Sequence, residues 1–339
     1  MFRVGVTTDF LRPDGTSGFG DIGLDRLGAA GLEWEFLGGR EAELPPEAAR
    51  DYDGLLVLGP RVSATTLAGV GRLKVVARFG VGYDNVDVPA CTAAGVALTI
   101  TPEGVRRPVA VAALTLILAL SHKLLIKDRL TRAGRWAEKL DHHGRGVTGR
   151  TLGLVGLGNI GRELAGLARA LGMEVVAADP AATPAGAAEA GALLLPLDEL
   201  LRQSDYVCIC CALTDATRHL IDAEALAKMG PSAYLINVAR GPIVDQAALT
   251  EALRSGAIAG AGLDVFEREP VDPDDPILAM ENVIVAPHAL CWTDECFGLN
   301  GRSAVGALID VAEGRRPSHV VNLDALARPR LAHLRPRGD

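Results

Sequence analysis

The chain has little of what would mark it for a membrane, a nucleic acid or an oxidising compartment. Its longest strongly apolar run, Val109 to Leu120, is too short to span a bilayer. No charged leader with a following apolar stretch and cleavage site opens it. No membrane partner is expected, and a cytoplasmic location is. Basic residues are in deficit, with 34 Lys and Arg against 42 Asp and Glu and a formal net charge of −8. A nucleic-acid surface usually needs a basic stripe, so that partner is not expected either. Six cysteines in 339 residues do not make a disulfide framework. Three of them crowd into Tyr206-Val207-Cys208-Ile209-Cys210-Cys211. That segment reads as a strand, with Cys208 and Cys210 on one face and Cys211 on the other. No second Cys or His pair stands at zinc spacing from them, so no metal is expected. No internal repeat at a fixed period is visible.

What is present is globular. Hydrophobic residues at 49% and charged residues at 22% suit packed cores, and the length suits about two domains. The first hundred residues alternate apolar runs (Phe2 to Thr7, Leu55 to Leu58, Val75 to Phe79) with segments of helical spacing. This βαβ rhythm implies a parallel sheet. Pro102 to Pro108 is a charged, proline-bracketed hinge candidate, and one long helix is expected from about Val109 to Ala133. A second series follows with six strand candidates: Thr151–Val155, Glu174–Ala178, Tyr206–Cys210, Ala233–Val238, Gly260–Val265 and Val283–Ala286. Strands separated by helices in this way suit a doubly wound sheet. Gly298 to Gly314 reads as another helix. The arginine- and proline-rich end, 331–339, is expected to be disordered.

The most informative stretch is Thr151-Leu-Gly-Leu-Val-Gly-Leu-Gly-Asn-Ile-Gly161. Gly156, Gly158 and Gly161 fit G-x-G-x-x-G between an apolar strand and a helical segment. The first glycine permits the turn, the second admits a pyrophosphate and the third lets helix pack on strand. The helix start at Asn159 and Ile160 offers free N–H groups to the phosphates. Asp179, 18 residues past Gly161, stands where an acid grips a ribose 2′-hydroxyl. A carboxylate there repels a 2′-phosphate, so NAD is expected over NADP.

Three later segments put chemistry at strand ends. Ile236-Asn237-Val238-Ala239-Arg240-Gly241 ends in an arginine, Leu263-Asp264-Val265-Phe266-Glu267-Arg268-Glu269-Pro270 in acids, and Val285-Ala286-Pro287-His288 in a histidine. Ligands of open α/β sheets bind outside the carboxyl ends of the strands, so Arg240, Glu269 and His288 can converge beside a dinucleotide. A fourth, Arg78-Phe79-Gly80-Val81-Gly82-Tyr83-Asp84-Asn85-Val86-Asp87, could turn backbone N–H groups towards an anion.

In these motifs, their order and their spacing the chain resembles the D-isomer-specific 2-hydroxyacid dehydrogenases, over about residues 50 to 325. The resemblance implies two doubly wound α/β domains, Rossmann-like and flavodoxin-like, with the active site in the cleft between them. The substrate domain would be 1–103 plus 290–330, the NAD-binding domain 104–289. It also implies a homodimer held largely by the cofactor domains, and hydride transfer between nicotinamide C4 and C2 of a small 2-hydroxy or 2-oxo acid. His288 would be the general acid/base. Glu269 would hold its tautomer and favour the protonated ring. Arg240 would bind the substrate carboxylate and polarise its carbonyl. Val81 and Gly82 would hold the carboxylate through backbone N–H groups, with Arg78 nearby. Asp264 would sit near the nicotinamide amide, and Cys211, Thr217, Val238 and Ala239 would border the cofactor.

The departures from the family pattern lie around the pocket. Arg106 and Arg107 stand where a small or polar residue is common; Arg107 is a candidate contact for an anionic or polyol part of the substrate, the alternative being solvated arginines. Trp292, four residues past His288, would close one side of the pocket as an apolar wall or an N–H donor, or serve packing alone. Hydroxypyruvate or glyoxylate reduction, 3-phosphoglycerate oxidation and sugar-acid oxidation remain open as specific activities. A non-enzymatic NAD(H)-sensing protein is the rival from another class, and an intact Arg240, Glu269 and His288 speaks against it.

Overall fold

The computed structural model describes residues 1–39 and 41–336. The chain divides into two compact units, one of residues 1–105 with 292–339 and one of 106–291.

The first unit is built on a five-stranded parallel sheet: β1 (Arg3–Val6), β2 (Glu33–Phe36), β3 (Gly54–Val57), β4 (Val75–Arg78) and β5 (Ala97–Thr99), in the order β2-β1-β3-β4-β5. This is the flavodoxin-like order. Strand alternation fills both faces. Val4, Val6, Leu56, Val75 and Ala77 pack one way with the Asp294–Ala312 helix, while Leu55, Val57 and Val76 pack the other. β2 did not stand out as a run because it alternates two acids with its aromatics, and β5 because it is only three residues long.

The second unit carries seven parallel strands: β6 (Thr151–Val155), β7 (Glu174–Ala178), β8 (Leu193–Leu194), β9 (Tyr206–Ile209), β10 (Tyr234–Asn237), β11 (Gly260–Leu263) and β12 (Val283–Val285). Their order is β12-β11-β10-β9-β6-β7-β8, with neighbours parallel throughout. Order reverses at β6 and β9, which is the Rossmann switch point. Val207 and Ile209 enter one core layer, Tyr206 and Cys208 the other. Cys210 packs with Cys208 and Cys211 on the opposite side, as alternation requires.

The second sheet has one strand more than the six expected, since β8 is only two residues long and did not stand out as a strand, and two further expectations need correction. The expected single helix from Val109 is two helices, Pro102–Ser121 and Leu124–Arg132, with Lys123 at φ 51° between them. The first starts seven residues early because tertiary contacts tie its first turn. Thr101 Oγ1 donates to Asn300 Oδ1 at 2.5 Å and accepts from Gly80 N–H at 2.8 Å, and a side chain at Gly104 would collide with Asn300. Pro102 meanwhile supplies a preset φ at the first helical position. The helix stops where Arg145 N–H bonds Ser121 O at 2.8 Å. By length and composition this 20-residue helix could cross a membrane. Its Ala110, Ala113, Leu116, Ile117 and Leu120 are buried in the second unit's core, as in a core helix of a globular domain. The second correction concerns 331–339. In its described part, 331–336, Leu331 and Leu334 are buried among the residues of β1, β3 and β4. Arg335 is bridged to the 314–316 segment in both directions, at 2.8 and 2.9 Å. Two leucines three apart anchor a segment whose composition alone suggested disorder; 337–339 lie outside the described residues.

Candidate active site

The dinucleotide cradle forms where β6 ends. Gly156 takes φ +101°, and a Cβ there would stand 2.7 Å from Cys211 N, so only glycine makes this turn under the β9 end. A Cβ on Gly161 would collide with Gly156 O, which is how closely helix meets strand. A Cβ placed on Gly158 would meet no other part of the fold within 4 Å, so that side of the backbone is open to a ligand at the start of the Asn159–Ala170 helix. That is the fit a pyrophosphate requires. Asp179, just past β7, is aimed at the loop: its Oδ2 accepts from Leu157 N–H at 2.7 Å and its Oδ1 from Ala181 N–H at 2.8 Å. Each oxygen keeps acceptor capacity for ribose hydroxyls. Thr217 spends its hydroxyl within its own loop, donating to Ala212 O and accepting from Thr214 N–H, both at 2.7 Å. The Cys211 thiol is pushed up to about 11, chiefly by burial, so it stands by the cradle as a neutral, unreactive group.

The second unit also brings three charged side chains together. His288 Nδ1 lies 2.8 Å from Glu269 Oε2, and Glu269 Oε1 accepts Phe266 N–H at 3.0 Å. Burial works to raise the Glu269 carboxyl. The His288 bond, the Phe266 N–H and the charges of His288 and Arg240 outweigh it and hold the carboxyl below its ordinary value. A depressed carboxylate contributes stability above its unfolded pKa and loses it as pH falls through the folded one. Glu269 is therefore an anion at neutral pH. Arg240 is close enough to act on it, and its loop is shaped by Asn237. Asn237 Oδ1 accepts Ala239 N–H at 3.1 Å and its Nδ2 donates to Arg240 O at 2.9 Å. Val238 and Ala239 form the arc between.

His288 itself sits at φ 56°, a region few non-glycine residues adopt. Asp264 stabilises that turn: it is 4% exposed and accepts Ala289 N–H at 3.0 Å and Leu290 N–H at 3.1 Å. Burial raises its carboxyl despite those bonds. Asp264 thus shapes the histidine turn, a role the sequence did not disclose. The part Asn237 plays in shaping the Arg240 loop was also missed, because nothing in its spacing distinguishes it from an ordinary loop residue.

Arg107 has another partner. Its Nη1 lies 2.6 Å from Glu163 Oε1, with Arg106 Nε 3.6 Å from Oε2, so both arginines brace the nucleotide-side helix. In the first unit, Arg78 ends β4 and bonds Phe79 O. The turn through Val81 and Gly82 follows Gly80, whose N–H is taken by Thr101. Trp292 is 48% exposed and leans on Phe19, 4.9 Å between ring centres, and on Phe297 at 5.7 Å. Packing therefore accounts for one face of the indole.

Comparison with known proteins meets this geometry. Residues 114–289 match the family model described as D-isomer specific 2-hydroxyacid dehydrogenase, NAD binding domain. The chain is 41% identical over 287 residues to a glyoxylate reductase of Thermococcus onnurineus, covering 83% of this chain and 86% of the relative. It is 38% identical over 296 residues to a glyoxylate reductase of Korarchaeum cryptofilum, covering 84% and 89%. Among solved structures it is similar to the TT0316 protein of Thermus thermophilus, with a TM-score of 0.83, 35% identity and coverage of 94% and 100%. With the glycine turn and the acid past β7 in place, and with relatives matched over more than four fifths of its length, the chain belongs to the D-isomer-specific 2-hydroxyacid dehydrogenases, NAD-dependent oxidoreductases of 2-hydroxy and 2-oxo acids.

Proposed function

We propose that this enzyme reduces a small 2-oxo acid, glyoxylate or hydroxypyruvate, with His288, Glu269 and Arg240 as its working groups. The observation that carries the reading is the 2.8 Å bond between His288 Nδ1 and Glu269 Oε2. A carboxylate can only accept, so Nδ1 carries the proton of that bond and Nε2 is left for the substrate. Glu269, held anionic, stabilises the protonated ring. From Nε2 the ring gives a proton to the carbonyl oxygen as it becomes a hydroxyl. Arg240 grips the carboxylate with its planar fork and offsets negative charge growing on the carbonyl oxygen. NADH bound at the glycine cradle supplies the hydride. The relatives named glyoxylate reductase support the choice of acid.

The test is loss of NADH absorbance with glyoxylate, hydroxypyruvate, its phosphate ester and longer sugar-derived acids. Removing a general acid should lower kcat by about 10²- to 10⁴-fold in His288→Ala. NADH binding without turnover of any acid, or an unimpaired His288→Ala, sinks the proposal.

We also propose a homodimer. Its support is a run of exposed apolar side chains on the second unit, Val111, Leu124, Leu125, Trp136 and Leu140, the last two 65% and 69% exposed. Apolar groups left out in this way commonly mark an interface. Light scattering should give twice the chain mass, and Trp136→Glu with Leu140→Glu should shift it towards the monomer; a monomeric wild type refutes it.

A further inference from the structure

The loop that carries Glu269 holds a second histidine–glutamate pair. Two residues earlier, Glu267 Oε1 lies 2.7 Å from His219 Nε2. The carboxylate only accepts, so the ring nitrogen carries the proton. Glu267 is fixed from another side by Gln246: its Oε2 accepts Gln246 N–H at 3.2 Å, and its own N–H donates to Gln246 Oε1 at 3.0 Å. Gln246 Nε2 is in turn held by Asp275 Oδ2 at 2.7 Å. His219 reaches the Arg240 side as well. Its backbone N–H donates to Pro242 O at 2.9 Å, and its φ of 51° turns the residue to meet both neighbours. Between these anchors the two working loops touch directly. A Cβ on Gly241, the residue after Arg240, would collide with the Phe266 carbonyl.

We propose that His219 and Glu267 are positioning residues that hold the Arg240 loop and the Glu269 loop in register. The proposal rests on the reading of Arg240, Glu269 and His288 given above. His219 binds the first loop through its backbone and the second through its ring, and Gly241 lets the two backbones bear on each other. Displacement of Glu267 is then felt at Glu269 two residues on and at Arg240 through Gly241. The His219–Glu267 contact itself should add little stability. Both side chains are well exposed, 41% and 36%, and exposed ion pairs are worth little.

The experiment compares His219→Ala, His219→Gln, Glu267→Ala and the double variant His219→Ala/Glu267→Ala. A small misplacement of working groups is expected to lower kcat roughly ten-fold in each alanine variant. The double variant should be no worse than either single one, because the two residues act as one unit. His219→Gln, which keeps a donor, should recover most of the rate. NADH affinity should stay within about two-fold, since no cradle residue is touched. A kcat within two-fold of wild type in His219→Ala, multiplying losses in the double variant, or equal loss in the glutamine variant overturns the proposal. A proton spectrum decides it without turnover. The carbon-bound ring-proton resonances of His288, assigned by their loss in His288→Ala, should shift or broaden in His219→Ala and persist in His219→Gln. Unchanged resonances in His219→Ala refute the positioning role. A wild type that binds NADH and reduces no acid refutes the catalytic reading instead.

Discussion

The two sheets of this protein share an architecture and differ in what stands at their switch points. In the second unit the crevice between β6 and β9 is kept clear by glycine: Gly156 passes under Cys211, and a Cβ on Gly158 would point into open space. In the first unit Asp9 stands at the equivalent crevice and ties the ends of β1 and β3 together. Its Oδ2 accepts Gly59 N–H at 2.6 Å and its Oδ1 accepts from Thr7 Oγ1 at 2.5 Å. The cavity beside it, about 310 Å³, has Asp9 and Glu41 as its charged lining among the described residues. The Asp9 carboxylate stands where the second unit offers open backbone, and the N-terminus of the Asn159–Ala170 helix attracts a diphosphate. Strand order thus offers a crevice in both units, and a handful of side chains decide which one takes a nucleotide.

The sharpest way to break the comparison is to close the second crevice. Gly158 has extended geometry, φ −74° and ψ −160°, so valine fits the backbone and projects into the open space. Gly158→Val should raise the NADH dissociation constant on the order of 100-fold, as expected when a phosphate loses its approach. The fold should give up only about 1 kcal/mol, because valine is a poor helix cap. Gly161→Val should behave differently, since its side chain meets the Gly156 carbonyl. It should lose both cofactor affinity and about 1–3 kcal/mol or more of stability. Titration of NADH fluorescence beside thermal melting separates the two. An unchanged affinity in Gly158→Val would place the cofactor elsewhere, and equal melting temperatures for both variants would remove the packing role of Gly161.

How far these features were readable follows from the range of the interactions behind them. The cradle was legible because its constraints are local: glycine for a turn, an acid at the end of the next strand. The strand-end positions of Arg240, Glu269 and His288 were legible for the same reason. The start of the Pro102–Ser121 helix was not, since the Thr101–Asn300 bond spans nearly two hundred residues. Nor was the packing of 331–336, where composition suggested disorder but two leucines find a core built by β1, β3 and β4. Arg107 shows the limit on the site side. An arginine at a predicted hinge invites a ligand, and only the fold reveals Glu163 opposite it.

A gentler test exchanges the two aspartates for alanine, one at each crevice. Asp179 both braces the loop at Leu157 N–H and faces the ribose position, so Asp179→Ala should weaken NADH binding roughly ten-fold, the cost of a good charged hydrogen bond. It should also raise kcat/KM with NADPH relative to NADH, because the charge that repels a 2′-phosphate is gone. Asp9→Ala should leave NADH affinity and cofactor preference untouched. It removes a carboxylate that joins the ends of β1 and β3, leaving Gly59 N–H to water, at a cost of about 1 kcal/mol. The effect should appear as a small drop in melting temperature with normal NADH titration. A change of cofactor preference in Asp9→Ala, or none in Asp179→Ala, would show that the two crevices are not divided in this way. In that event the acid past β7 would be a loop brace alone, and selectivity would have to be sought among the other side chains that border the glycine cradle.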